Sequence, residues 1–235
     1  MSKNIKKNIK AFKVDLDSRE NQSILKSSTR CSNNQTHQIN EAAEKIHELI
    51  QNAKHSNDGI VLNHNEIKEA FFSPFKPQLK NAQVFLSHSH ADKNKALKVK
   101  GYLESKTKHK VFVDSLFWDY KDDVLNELAE YDDISGIEDA FTLILRESLQ
   151  DMIEKCPYFV FLKSKNSVSL NQDLLGITYS AWIYEELRIA HSISTISESR
   201  PIPMMESMQV FHDISPFLES FETIRLSELS RIINS

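Results

Sequence analysis

The sequence predicts an α/β fold: a flavodoxin-like, five-stranded parallel sheet with a small helical N-terminal extension. Three observations predict it. Short apolar runs at Val84–Ser87, Lys110–Asp114 and Tyr158–Leu162 alternate with stretches of helical period, and such alternation makes parallel βαβ units with right-handed crossovers. Tyr158-Phe-Val-Phe-Leu162 is apolar throughout, as a strand covered on both faces should be. The 235 residues hold only 4 Gly and 6 Pro, too few for a loop-rich β architecture.

Taken in order, residues 1–38 are rich in Lys, Asn, Ser and Gln without sustained periodicity, and they read as a flexible tail. Ile39, Ala42, Ile46, Leu49, Ile50 and Ala53 share one helical face, predicting a helix over 39–54. A second short helix is expected from Asn65 to Phe71. Ser73-Pro74-Phe75-Lys76-Pro77 then punctuates the chain, because Pro disfavours helix at and before itself. This places a helical extension at 39–80 and the main domain at 81–235.

Within the main domain, Val84–Ser87 runs into the polar turn Ser87-His88-Ser89-His90-Ala91-Asp92, which opens a helix from Asp92 to Ser105. Lys110–Asp114 is the second strand. The acidic stretch Asp119–Asp139 is expected to be partly helical. Glu138–Lys155 is an amphipathic helix with Ile144, Leu145, Leu149, Met152 and Ile153 inward. After the third strand, a helix is predicted at Ser180–Ser192, and Ile202–Met205 and Thr223–Leu226 are candidate edge strands.

Composition narrows the function classes. The formal net charge of -4 divides into a basic first third and an acidic main domain. An acidic domain is a poor nucleic-acid binder, since phosphate neutralisation needs Lys and Arg. Cys31 and Cys156 are too few for a disulfide framework. No apolar segment follows the basic start, and the longest strongly apolar run, Tyr158–Leu162, is far short of the ~20 residues of a membrane helix. A cytoplasmic protein without membrane association is expected.

Several chemistries can be weighed on the residues. His88-x-His90-x-Asp92 resembles the start of a metallo-β-lactamase metal site. Lys93 stands where that family places a further His, and the helix-rich chain does not suit that fold, so no metal is expected. Ser87 and His88 are sequence neighbours on a strand end and point opposite ways. No Gly-x-Ser-x-Gly elbow or Gly-rich phosphate loop is present. In Ser180-Ala181-Trp182-Ile183-Tyr184-Glu185-Glu186-Leu187, Trp182 and Glu186 are i,i+4 neighbours on one helical face. Glu186 falls at the edge of the core-facing stripe of Ile183, Leu187 and Ala190.

Four segments, in order, resemble Toll/interleukin-1 receptor (TIR) domains. Phe85-Leu86-Ser87-His88 resembles their box 1. Val111-Phe112-Val113-Asp114 resembles their second strand, Tyr158–Leu162 with Lys163–Ser167 their third strand and its exit, and Ser180-Ala-Trp182-x-x-x-Glu186-Leu187 the helix after it. The resemblance covers residues 82–193 and is strongest to bacterial members. The segment after the second strand, Ser115–Ile137, is long, acidic and without the Pro of many receptor BB loops.

The resemblance implies an NAD glycohydrolase that cleaves the nicotinamide–ribose bond, with Glu186 as the catalytic carboxylate and NAD as substrate rather than cofactor. Trp182 would wall a ring of the dinucleotide, Ser87 and His88 would line the cleft at the first strand end, and Asp114 would border it from the second. The product would be ADP-ribose or its cyclic form, in antiphage defence or signalling. The alternative implied is a non-enzymatic TIR interaction module. Both carry self-association through the TIR domain, with the helix at 39–54 as a candidate contact for a protein partner or activator.

Overall fold

The computed structural model describes residues 9–28, 39–52, 54–56, 59–72, 81–129, 135–170, 176–194 and 211–235. The described elements are β1 (Lys10–Asp15), α1 (Arg19–Ser27), α2 (Ile39–Gln51), β2 (Lys54–Ser56), β3 (Gly59–Val61), α3 (His64–Phe72), β4 (Ala82–Ser87), α4 (Lys93–Thr107), β5 (Lys110–Val113), α5 (Ser115–Leu128), α6 (Ser135–Lys155), β6 (Tyr158–Lys163), β7 (Ser169–Leu170), β8 (Gly176–Thr178), α7 (Ala181–Ser194), β9 (His212–Asp213), α8 (Ser215–Ser220), β10 (Glu222–Thr223) and α9 (Leu226–Asn234). The chain forms two compact units, one of Met1–Ser32, Asn81–Asp114 and Gln150–Ser235, the other of Asn33–Lys80 and Ser115–Leu149.

The first unit is α/β. Its sheet runs β5-β4-β6-β1-β10 and every pairing is parallel. The order is compatible with a flavodoxin-like sheet. Val84, Phe85 and Leu86 of β4 and Phe159, Val160, Phe161 and Leu162 of β6 are fully buried. The Phe85 ring stacks on Phe159 at 5.7 Å and on Phe112 at 5.8 Å, which fixes the centre of the sheet. The in-register pairs Ser87↔Phe161 and Asp15↔Lys163 bring the carboxyl ends of β4, β6 and β1 to one edge. From β4 the chain moves outward to β5 and then returns past β4 to β6. The crevice between β4 and β6 is therefore the topological switch point, where open α/β sheets place ligands.

One expectation is corrected here. Residues 10–28, assigned to a flexible tail, form β1 and α1, and β1 lies between β6 and β10 inside the sheet. Phe12, Val14 and Leu16 alternate inward along a Lys-rich segment, so a true period of two is masked by the surrounding composition. Ser18 caps α1 by accepting the Asn21 N–H at 3.3 Å. The Asn21 side chain joins the Asp15 carbonyl to the Leu226 N–H. The expected edge strand Ile202–Met205 lies outside the described residues. Of Thr223–Leu226, Thr223 belongs to β10, whereas Leu226 already opens α9.

The second unit is mainly helical. α2 packs against α3 and α5. Ile46, Ile50, Ile67, Phe71, Val124, Leu128 and Phe141 are among its buried apolar residues, and Phe71 meets Phe141 edge-on at 5.4 Å. It thus combines the expected helical extension with the acidic segment after β5, which is helical in α5 and in the start of α6.

Candidate functional site

The carboxyl edge of the sheet carries three buried carboxylates, Glu186 (1% exposed), Asp114 (3%) and Asp92 (1%). Burying a carboxylate is costly unless hydrogen bonds and charge compensate, so the partners of each decide what the edge can do.

Glu186 stands in the second turn of α7. Ser180 starts that helix by accepting the Ile183 N–H at 3.2 Å, and its own N–H donates to Thr178 Oγ1 at 3.2 Å. Ile183, Leu187 and Ala190 point into the core, and the 3.6-residue period carries Glu186 inward with them. There Glu186 Oε2 accepts the Ser87 hydroxyl at 2.5 Å. Trp182 is half-buried, one turn before Glu186.

His88 is the next residue after β4. Its Nε2 lies 3.0 Å from Asp114 Oδ1 and its Nδ1 lies 2.6 Å from the Ser89 carbonyl oxygen. The His88 backbone N–H donates to Asp114 Oδ2 at 3.3 Å. Asp114 therefore grips both the ring and the backbone of His88 and ties the exit of β5 to that of β4.

Asp92 ends the 3-10 turn His90–Asp92 and leads into α4. Its carboxylate accepts the Ser164 hydroxyl, Asn166 Nδ2 at 3.1 Å and Lys95 Nζ at 2.9 Å. Burial works against its charge, but these hydrogen bonds and the Lys95 ammonium outweigh it and hold the carboxyl below the ordinary value of 3.8. Hydrogen bonding to Asp92 in turn raises the Lys95 pKa against the cost of burial. Lys95 also approaches Asp17 at 3.6 Å, and Asp17 accepts the Lys165 N–H at 3.0 Å. This network joins the exits of β1, β4 and β6.

Of the residues read from sequence, Ser87 and Glu186 meet directly and His88 and Asp114 meet directly. All four are buried. Asp92, Lys95, Ser164, Asn166 and Asp17 were not foreseen as a cluster, because polar residues at strand exits carry no periodic signal and these partners are far apart in sequence. The His88-x-His90-x-Asp92 turn sends its first and last residues to different partners and leaves His90 exposed. No group of three or more His, Cys, Asp and Glu among the described residues is arranged to hold a metal ion. None of the described helices is long and apolar enough to cross a membrane.

No protein-family model, curated protein or solved structure matches this chain.

Proposed function

We propose that the protein is a TIR-like NAD glycohydrolase with Glu186 as its catalytic carboxylate. The observation that supports this most is the placement of Glu186: a buried carboxylate at the switch-point edge of a parallel sheet, oriented by the Ser87 hydroxyl at 2.5 Å.

The chemistry needs little more than a carboxylate. In NAD the ribose C1′ is bonded to a cationic pyridinium. When the C1′–N bond breaks, its electron pair goes to the nitrogen and nicotinamide leaves neutral, so its departure needs no general acid. The ribosyl centre becomes oxocarbenium-like, and an adjacent carboxylate stabilises the positive charge. Attack by water at C1′ gives ADP-ribose and a proton, whereas attack by the adenine of the same molecule gives the cyclic product. A fixed donor from Ser87 keeps the Glu186 carboxylate in one rotamer, which lowers the reorganisation needed as charge develops. Trp182, one turn away on α7, would wall a ring of the dinucleotide.

Glu186 is 1% exposed, so the sugar reaches it only after the surrounding side chains move. That burial favours a second reading, a TIR-like interaction module without turnover, in which Ser87 and Glu186 serve the core. Nicotinamide release distinguishes the two. Release by the wild type that is absent in a folded Glu186→Ala variant supports the enzyme, and a wild type inert at every protein concentration supports the module.

A further inference from the structure

We propose that Asp92 is a positioning residue for Glu186, anchoring from two sides the elements that present the carboxylate. The inference rests on the reading of Glu186 above.

The first side is the turn just beyond Ser87. The Asp92 N–H donates to the Ser89 carbonyl at 2.8 Å, and His88 Nδ1 lies 2.6 Å from that same oxygen. The turn Ser89–Asp92 is thus closed on itself, directly after Ser87, which ends β4, and His88. Fixing Asp92 fixes the turn that leaves β4 just beyond the residue that reaches Glu186.

The second side is the route into α7. The Ser164 hydroxyl donates to Asp92 and accepts the Asn166 N–H at 3.0 Å. The Ser167 hydroxyl accepts the Ser164 N–H at 2.8 Å, and the Val168 N–H closes on the Ser164 carbonyl at 3.0 Å. This tight turn delivers the chain to β7, which pairs with β8 through Ser169↔Ile177 and Leu170↔Gly176. β8 ends at Thr178, whose hydroxyl accepts the N–H of Ser180, the residue that caps α7. Asp92 therefore anchors the start of a hydrogen-bonded path that ends on the helix holding Trp182 and Glu186. A buried carboxylate with three side-chain donors, joining the exits of β4 and β6, is not there to cap α4, to which the Asp92 side chain makes no capping bond.

The test uses the full chain with Asp92→Asn, which keeps the shape and removes the charge, and Ser164→Ala, which removes one donor and leaves Asp92. Steady-state kinetics with NAD and amide hydrogen exchange are measured on both. Misplacing a reacting group by about 1 Å costs up to roughly 100-fold, so kcat is expected to fall about tenfold or more. KM is expected to change by less than about threefold, since ground-state binding is not what Asp92 supplies. Exchange is expected to quicken over 180–186 as well as over 164–168. An unchanged kcat, a loss confined to KM, or faster exchange confined to 164–168 would overturn the proposal. A wild type that releases no nicotinamide defeats the reading of Glu186 instead, and unchanged protection over 180–186 in both variants then defeats the anchoring as well.

Discussion

The Ser87 hydroxyl donates to Glu186 Oε2 across 2.5 Å, joining the end of β4 to the second turn of α7 between residues 99 positions apart. Both side chains are buried, so the bond forms where water does not compete for either partner. It converts a helix-surface pattern, Trp182 and Glu186 one turn apart, into a fixed carboxylate at the carboxyl edge of a parallel sheet.

Removing the donor should therefore be felt twice. Ser87→Ala leaves the Glu186 carboxylate without its hydroxyl, and a buried group deprived of a hydrogen bond costs about 1–3 kcal/mol. A denaturant titration should show a loss of that size, and nicotinamide release should fall with it. Stability and turnover both equal to wild type would show that the bond carries neither.

Asp92 makes stability depend on acid. Its folded-state carboxyl is held below the ordinary 3.8, chiefly by Ser164, Lys95 and Asn166 against the cost of burial. The unfolded chain takes up that proton more readily. The contribution is therefore fully present above pH 3.8 and is lost as pH falls through the lower folded value. The stability gap between wild type and Asp92→Asn should be widest near neutrality and shrink in acid. A gap that stays constant down to the acid transition would contradict this.

His212 acts in the neighbouring range. Its ring stacks on Tyr184 at 4.8 Å, and burial lowers its pKa from 6.5. The folded protein keeps the ring neutral where the unfolded chain protonates it, so stability is fully present above pH 6.5 and declines below it. Relative to His212→Phe, which keeps a ring on Tyr184 and cannot titrate, wild type should lose stability as pH falls below about 6.5. Parallel pH profiles for the two proteins would refute it.

The N-terminal strand should prove indispensable. β1 pairs with β6 on one side and β10 on the other, and Val14 is fully buried. A chain starting at residue 29 is expected to lose cooperative thermal unfolding of the sheet. Val14→Asp, which buries an unpaired charge, should cost about 3–5 kcal/mol. Unchanged melting of the shortened chain would show that the sheet does not need β1.

What was legible in the sequence follows from these particulars. β4, β5 and β6 announce themselves because strands buried on both faces are continuously apolar, and α4, α6 and α7 because their inward residues repeat at helical spacing. β1 hides because only Phe12, Val14 and Leu16 show its period, among lysines and asparagines that read as solvated tail. Spacing from Trp182 alone does not single out Glu186, because helix surfaces often carry Glu one turn after an aromatic; it is the resemblance of Ser180–Leu187 to a TIR helix that points to it. The partner of Glu186 was not legible, since nothing local in Ser87 specifies a bond to a residue on a distant helix. The Asp92 network was hidden for the same reason: its value comes from Ser164 and Asn166 arriving from another strand.

The most direct test of the central claim is a time course of NAD with chromatographic identification of products, run at low and at crowded protein concentration. It compares wild type with Glu186→Gln, which retains an acceptor for Ser87 and should keep the fold. The expected result is loss of NAD with stoichiometric nicotinamide in wild type, and none above background in the variant. Equal NAD loss in both proteins, or no loss in wild type even when crowded, would contradict the assignment of Glu186 as the catalytic carboxylate.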